Sequence, residues 1–108
     1  MKSNDRAMSM MSMAAKAGKI VSGEFMVEKT VKEGKVYLVI VSEEASANTV
    51  KKFSNMCFFY KVPMYIYGTK DSLGHNIGRE ARASVAVTDE GFANSIVKNL
   101  PDTVTQVK

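Results

Sequence analysis

Hydrophobic and polar residues along the chain follow two periods, which predict helices and strands in alternation. Apolar residues three or four positions apart predict helices at 4–17, 23–33, 46–60 and from Asp89 to about residue 100. Short runs rich in Val and Ile predict strands at 20–22, 37–41, 64–67 and 83–88. A short helix with Asp71 or Ser72 as its N-cap is predicted between the last two strands. The order α-β-α-β-α-β-α-β-α predicts an α/β fold with helices on both faces of the sheet.

The strand at 37–41 and the helix that follows it are expected to form much of the core. The run Tyr-Leu-Val-Ile-Val at 37–41 is apolar throughout, which is typical of a strand buried on both faces. The helix at 46–60 is expected to turn the following residues inward: Ala47, Val50, Phe53, Cys57 and Tyr60. The single cysteine cannot form an internal disulfide, so we expect an inert, buried thiol.

The helix that starts at 23–29 has an unusual outward face. Val27 and Val31 lie on its packing side, whereas Phe25, Lys29 and Lys32 fall within a narrow arc opposite them. An exposed aromatic ring beside two cations suits a ligand that has phosphates and flat bases. The alternative, which helical spacing alone favours slightly, is that Phe25 packs on a neighbouring loop.

The length and composition predict a single domain over residues 1–108. The chain has 108 residues, of which 45% are hydrophobic, enough to bury a core over 4–100 without disulfides. Residues 101–108 form a polar segment that we expect to fray. No apolar run is long enough to cross a bilayer, and no signal-peptide core is present. A soluble cytoplasmic protein that makes no membrane contact is therefore expected.

The net charge of +4, from 15 Lys and Arg against 11 Asp and Glu, is compatible with a nucleic-acid partner. Three basic segments are candidates for a shared surface. They are Lys29 and Lys32 with the preceding Lys16 and Lys19; then Lys70; and then Arg79 and Arg82. Their convergence at one end of the molecule and an ordinary scatter of surface cations both remain open from the sequence.

The residue types needed for catalysis or for metal binding are sparse. His75 is the only histidine, and no spacing pairs it with Cys57 as metal ligands. The glycines at 74 and 78 lack the Gly-Lys-Ser/Thr ending of a phosphate loop. Glu43 and Glu44 are expected to belong to a solvated loop. The sequence thus predicts a protein that is not an enzyme and that holds neither a cofactor nor a metal.

Several weak motifs occur together in one order. They are Gly-x-x-x-Val-x-Lys at 23–29, Val-Ser-Glu-Glu at 41–44, Val-Pro at 62–63, Leu-Gly-x-x-x-Gly at 73–78 and an alanine–valine strand at 83–88. From about residue 18 to residue 100 this pattern resembles the L7Ae/L30e superfamily of kink-turn RNA-binding ribosomal proteins. The segment at 86–93 is similar to its bacterial YlxQ-type branch. The resemblance implies a three-layer α/β/α sandwich with a mixed sheet of about four strands.

The resemblance also implies an RNA-binding edge. The family's Gly and Lys that approach the RNA backbone match Gly23 and Lys29. The loop at 79–82 matches a segment that packs on an extruded base, and Lys70 matches a phosphate contact. The expected RNA-binding residues are Gly23, Glu24, Phe25, Met26, Lys29, Lys32, Lys70, Arg79, Ala81 and Arg82.

Two positions depart from the family pattern. The Asn-Glu pair with which kink-turn binders contact sheared G·A pairs is replaced by Phe25 and Met26, which cannot make the same polar contacts. A position that is often basic is Glu33, which we expect to repel phosphate. The scaffold is therefore implied more strongly than high-affinity kink-turn recognition.

Together these observations predict a non-catalytic RNA-binding protein, similar to ribosomal proteins and associated with the ribosome or with translation. Its expected partner is structured ribosomal or other non-coding RNA, together with ribosomal or translation-factor proteins. The alternative is a protein-interaction module on the same scaffold, with Phe25 and Met26 as an apolar anchor for a protein partner.

Overall fold

The structure, a computed structural model, describes residues 5–107 and contains the predicted alternation of helices and strands. The helices are α1 (Arg6–Lys16), α2 (Glu24–Lys32), α3 (Ala47–Tyr60), α4 (Lys70–Asn76) and α5 (Glu90–Lys98). The strands are β1 (Ile20–Ser22), β2 (Leu38–Val41), β3 (Met64–Ile66) and β4 (Ser84–Val87). Asn4, the first residue of the first predicted helix, lies outside the described residues. The order of elements is confirmed.

The strands form one mixed sheet in the order β1-β4-β2-β3. Strand β4 pairs antiparallel with both β1 and β2, while β2 and β3 are parallel. Strands β1, β2 and β3 therefore point the same way, and α2, α3 and α4 all begin at their carboxyl ends. We call this end, made of residues 22–24, 42–47, 68–70 and 79–84, the upper edge. The opposite end, at 17–20, 33–38 and 60–64, is the lower edge.

Helices cover both faces of the sheet, which confirms the three-layer α/β/α sandwich. One core packs α1, α4 and α5 against Leu38, Ile40, Val85 and Val87. The other packs α2 and α3 against Val39, Val41, Ala86 and Met64. Because successive strand residues point to opposite faces, adjacent residues of β2 and β4 feed different cores. This explains why every residue of both strands is buried.

The helix starts follow short polar caps, and one cap differs from the prediction. Asp5 accepts a hydrogen bond from the Met8 N–H at 3.0 Å and so begins α1. Helix α4 begins after Thr69, whose hydroxyl accepts from the Ser72 N–H at 3.0 Å. The Ser72 hydroxyl lies 2.9 Å from the Thr69 N–H, which completes a capping box. Asp71 and Ser72 lie inside the helix, so their prediction as caps was wrong.

Helix α3 packs on the sheet with a narrower stripe than expected. Phe53 and Cys57 are buried as predicted, and Met56 is buried beside them. Tyr60 is 38% exposed and Ala47 is also exposed, so both ends of the predicted inner face were wrong. The buried residues keep the i, i+3, i+4 spacing only in the middle of the helix, where it crosses the sheet.

The segment expected to fray is instead held at the sheet edge. Gln106 pairs with Tyr65 in an isolated antiparallel bridge, and the Val107 N–H donates to the Met64 carbonyl at 2.8 Å. Val107 also packs against the core beneath α3. Strand β3 is the last strand of the sheet and has unpaired backbone groups, so an extended segment with spaced valines can pair with it.

Candidate nucleic-acid interface

At the upper edge, the turn between β1 and α2 is hydrogen-bonded to the start of β4. Gly23 precedes α2 with a φ of 90°, a backbone conformation that side-chain-bearing residues rarely adopt. Its N–H donates to the Ser84 carbonyl at 3.1 Å. The start of α2 is therefore tied to the loop that enters β4, although some 60 residues separate the two in sequence.

Arg82 connects three elements of this edge. Its Nε donates to the Ser22 hydroxyl at 3.1 Å, at the end of β1. Its Nη1 donates to the Ala81 carbonyl at 3.1 Å, and its backbone N–H donates to the Lys70 carbonyl at 3.0 Å. The guanidinium is thus held in place by neutral oxygens, and among residues 5–107 it forms no ion pair.

A groove runs along this junction with a volume of about 280 Å³. Its lining residues are Ala15, Ile20, Val21, Ser22, Met26, Ile77, Arg79 and Arg82. Three predicted site residues, Met26, Arg79 and Arg82, are therefore brought together. A groove lined by apolar side chains and by two guanidinium groups can accept a flat ring and the anionic group attached to it.

The loop at 79–82 is placed by a close contact with α4. The Arg79 N–H donates to the Gly74 carbonyl at 2.8 Å. A Cβ on Gly74 would lie 1.9 Å from the Glu80 carbonyl oxygen, so only glycine permits this approach. Gly74 therefore lets α4 pack closely against the loop at 79–82. Ala81, at the tip of this loop, is exposed.

The start of α2 presents Phe25 to solvent. Its side chain is 74% exposed, so the ring does not pack on a neighbouring loop, and the outward orientation is confirmed. On the other side of the helix, Val27 and Val31 are buried as predicted. The contrast between the two faces leaves an aromatic ring available at the upper edge.

The lysines of α2 are paired within their own helix. Lys29 Nζ lies 2.9 Å from Glu33 Oε2, and Lys32 Nζ lies 2.8 Å from Glu28 Oε2. Glu33, which we expected to repel phosphate, also forms an ion pair with Lys29, one of the predicted RNA-binding residues. Lys32 also lies in the last turn of α2, away from the upper edge. Among residues 5–107, neither Lys70 nor Arg79 nor Arg82 forms such an ion pair.

A network of charges links α2 to α3. Lys52 Nζ lies 2.7 Å from Glu28 Oε1 and 2.9 Å from Glu24 Oε2. Hydrogen bonds from Lys32 and then from Lys52 lower the pKa of Glu28 to about 2. The same contacts raise the pKa values of both lysines. Glu24 and Glu28 therefore offset cations on this flank, and the unpaired positive charge of the upper edge lies at 70 and 79–82.

Two carboxylates hold the loop that carries Lys70. Glu43 Oε2 accepts from the Gly68 N–H at 3.2 Å, and Glu44 Oε1 accepts from the Lys70 N–H at 2.9 Å. We expected these glutamates to belong to a solvated loop, and the structure gives them this positioning role. The signal in the sequence was their position directly after β2, because the carboxyl ends of parallel strands lie at the same edge of the sheet.

The convergence of basic segments is only partial. Lys70, Arg79 and Arg82 meet at the upper edge. Lys19, however, lies at the start of β1, where its carbonyl accepts from the Thr88 N–H at the end of β4. This is the lower edge, so Lys19 does not join the cluster. The strand separates Lys19 from Gly23, although the two residues are close in sequence.

Within residues 5–107 no cluster of three or more His, Cys, Asp and Glu could hold a metal ion. No helix in that range is long and apolar enough to cross a membrane. The fold and this edge define a class of protein: a three-layer α/β/α sandwich whose candidate site is a basic surface groove, shaped by glycines and rimmed by arginines.

Comparisons with known proteins give the family. The sequence profile of the Ribosomal protein L7Ae/L30e/S12e/Gadd45 family matches residues 5–97, and the chain belongs to this family. The RNA-binding protein YlxQ of Bacillus subtilis (strain 168) is 44% identical over 91 residues, which cover 84% of this chain and 91% of that protein. The large ribosomal subunit protein eL8 of Thermoplasma volcanium is 28% identical over 106 residues, 97% of this chain and 88% of that protein.

Two solved structures share the fold. A protein of unknown function from Bacillus halodurans C superposes with a TM-score of 0.85 at 34% identity, covering 88% of this chain and 96% of that one. A 15.5kD RNA binding protein of Giardia lamblia superposes with a TM-score of 0.76 at 21% identity, covering 86% and 80%. The second likeness shows the shared fold alone.

Proposed function

We propose that this protein is a non-catalytic RNA-binding protein, similar to ribosomal proteins, that contacts RNA through the upper edge. The observation that carries the proposal is the groove lined by Arg79 and Arg82, neither of which forms an ion pair among the described residues. Membership of a family with relatives named as RNA-binding and ribosomal proteins supports it. In the proposal, the protein acts in the cytoplasm beside ribosomal or translation-factor proteins.

The proposed contacts divide between backbone and base. Lys70, Arg79 and Arg82 contact phosphates, and Gly23 lets the RNA backbone approach the start of α2 closely. An unpaired base enters the groove beside Met26, because both apolar side chains and two guanidinium groups line it. Ala81 leaves the mouth of the groove open, since its side chain is small.

Phe25 and Met26 have a different role from the polar pair of the kink-turn binders. Neither side chain carries a group that hydrogen-bonds to a base edge. Phe25 is therefore assigned to stacking on an unpaired base, a contact worth about 1–3 kcal/mol. Glu24, Lys29 and Lys32 lie on the same helix, and their ion pairs must rearrange before either lysine binds a phosphate.

A titration with a labelled RNA hairpin that contains an internal loop tests the proposal. We expect Arg79→Ala together with Arg82→Ala to weaken binding at least about tenfold and to reduce the salt slope by about two. Lys35→Ala is the matched control, because that exposed lysine lies at the lower edge and next to no residue that lines the groove. Unchanged affinity and salt slope in the double arginine variant would contradict the proposal.

The alternative, a protein-interaction module anchored by Phe25 and Met26, is not favoured by the relatives, which are named for RNA binding and for the ribosome. It makes a separable prediction. A complex recovered from cells that survives nuclease treatment and weakens with Phe25→Ala would support it, whereas nuclease-sensitive recovery would count against it.

A further inference from the structure

Helix α3 presents an outward face that the upper edge does not use. The helix has 14 residues and contains neither Asp nor Glu. Its exposed residues Lys51, Asn55 and Phe58 follow each other at i, i+4 and i+7, so they lie along one line. Phe58 is 81% exposed, and the adjacent Phe59 is 75% exposed. The core does not account for these two rings.

The two rings lie at the opposite end of the molecule from Arg82. Helix α3 starts at the upper edge, after β2, and ends where β3 begins, at the lower edge. Arg82 precedes β4, which runs the other way and so begins at the upper edge. A ligand on Phe58 and Phe59 therefore occupies a different surface from a ligand in the first groove.

A second groove opens beside the rings, with a volume of about 720 Å³. Phe58, Phe59, Val62, Pro63 and Val107 line it, and among residues 5–107 the only charged residue in its lining is Lys61. Lys61 is the residue with a left-handed backbone that ends α3. Among residues 5–107, neither Lys51 nor Lys61 forms an ion pair. The surface is thus apolar and aromatic, with uncompensated positive charge at its borders.

This chemistry fits a ligand that has flat apolar rings and regularly spaced negative charges. Unpaired bases stack on exposed aromatic rings irrespective of sequence, and lysines bind the phosphates between them. An asparagine side chain can donate to and accept from a base edge. Charge complementarity favours a polyanion over a neutral or basic apolar partner, because cations border the surface and α3 carries no carboxylate.

We propose that the outward face of α3, from Lys51 through Asn55 to Phe58, Phe59 and Lys61, is a second RNA-binding surface that takes a single-stranded segment. Phe58 and Phe59 stack on successive bases, while Lys51 and Lys61 contact phosphates. The surface does not depend on the groove at the upper edge, so one RNA can contact both ends of the protein.

Titration of a fluorescein-labelled oligouridine, which forms no secondary structure, tests this surface. We expect Phe58→Ala together with Phe59→Ala to weaken oligouridine binding about tenfold or more. The affinity for the internal-loop hairpin should change much less. Lys51→Ala should reduce the salt slope of oligouridine binding by about one. Far-UV circular dichroism should be unchanged, because both rings are exposed.

Two control variants and the double arginine variant distinguish the second surface from the first. Met13→Ala removes an exposed apolar side chain, and Lys98→Ala removes an exposed cation, both on the opposite face of the sheet. Neither should alter oligouridine binding. Arg79→Ala with Arg82→Ala should weaken hairpin binding and leave oligouridine binding unchanged. If the double arginine variant weakens neither, the first proposal is wrong and the second is unaffected.

Two results would overturn the second surface. One is oligouridine affinity that the double phenylalanine variant leaves unchanged. The other is a dimer, detected by sedimentation velocity, that this variant abolishes without any effect on oligouridine, because the patch would then be an interface between two copies of the chain.

Discussion

The Arg82 guanidinium and the Ser22 hydroxyl, 60 residues apart in sequence, are joined by a hydrogen bond of 3.1 Å from Nε to Oγ. The contact joins the end of β1 to the loop before β4. It fixes the direction of the guanidinium without pairing it with a carboxylate. A neutral partner therefore positions the residue that we assign to phosphate binding.

Ser22→Ala is expected to weaken hairpin RNA binding several-fold, but less than Arg82→Ala. The serine variant removes one fixed contact, while Nη1 of Arg82 keeps its bond to the Ala81 carbonyl and the charge remains. Fluorescence anisotropy measures both variants. Ser9→Ala, at an exposed position of α1, is the control. A larger loss for Ser22→Ala than for Arg82→Ala would show that the arginine does not contact RNA.

Gly74→Ala is expected to lower the free energy of unfolding by about 1–3 kcal/mol, because the added Cβ overlaps the Glu80 carbonyl. Hairpin affinity should fall as well, since relief of the overlap displaces Arg79 and Arg82. Urea denaturation and anisotropy measure the two effects. Gly91→Ala in α5 is the control, because the nearest atom to its added Cβ, an oxygen of the capping Asp89 carboxylate, is 3.3 Å away rather than 1.9 Å. Wild-type stability in Gly74→Ala would contradict the contact.

Glu28 is expected to make stability depend on acid pH. Its pKa is lowered from 4.5 to about 2 in the folded protein by Lys32 and Lys52. Its contribution is therefore present above pH 4.5 and is lost as the pH falls from 4.5 towards 2. Glu28→Gln should lower the Tm at pH 7 and flatten the change between pH 4.5 and 2. Glu80→Gln, in an exposed loop, should keep the wild-type slope.

Cys57 is expected to resist alkylation in the native protein. It is buried, and burial raises the pKa of its thiol to about 11, so very little thiolate is present at pH 8. Iodoacetamide followed by mass spectrometry should find an unmodified native protein and a fully modified one in denaturant. Rapid modification of the native protein at pH 8 would show that α3 opens locally.

Much of the fold could be predicted from local patterns. The alternation of apolar runs identified the elements, and helix spacing predicted the buried Val27. The same spacing placed Phe25 on the outward face but slightly favoured its packing on a neighbouring loop, which was wrong. Predictions from local patterns failed where two neighbouring residues could both cap a helix. They also failed where a segment distant in sequence determined the structure. Thr69 is the N-cap of α4, and Ser72 lies inside the helix as the other member of the capping box. The segment at 104–107 was ordered by the free edge of β3, which no local pattern indicates.

The candidate site could be predicted less completely. The motifs identified Gly23, Lys70 and the loop at 79–82 as candidates, and the structure brings these segments together. The positioning roles of Glu43 and Glu44 and the unpaired face of α3 were missed. Closeness in sequence was misleading for Lys19. It was grouped with the basic segment at the start of α2, but Lys19 and Gly23 lie at opposite ends of β1.

By itself, the sequence determined the order of the elements, the two-sided burial of the central strands and the resemblance to a family. These depend on hydrophobic period and on short motifs, which act over a few residues. Only the tertiary structure decided that Arg82 meets Ser22 and that the rings of α3 lie at the other end of the molecule. Both facts follow from the strand order β1-β4-β2-β3, which is set by long-range pairing and shared burial.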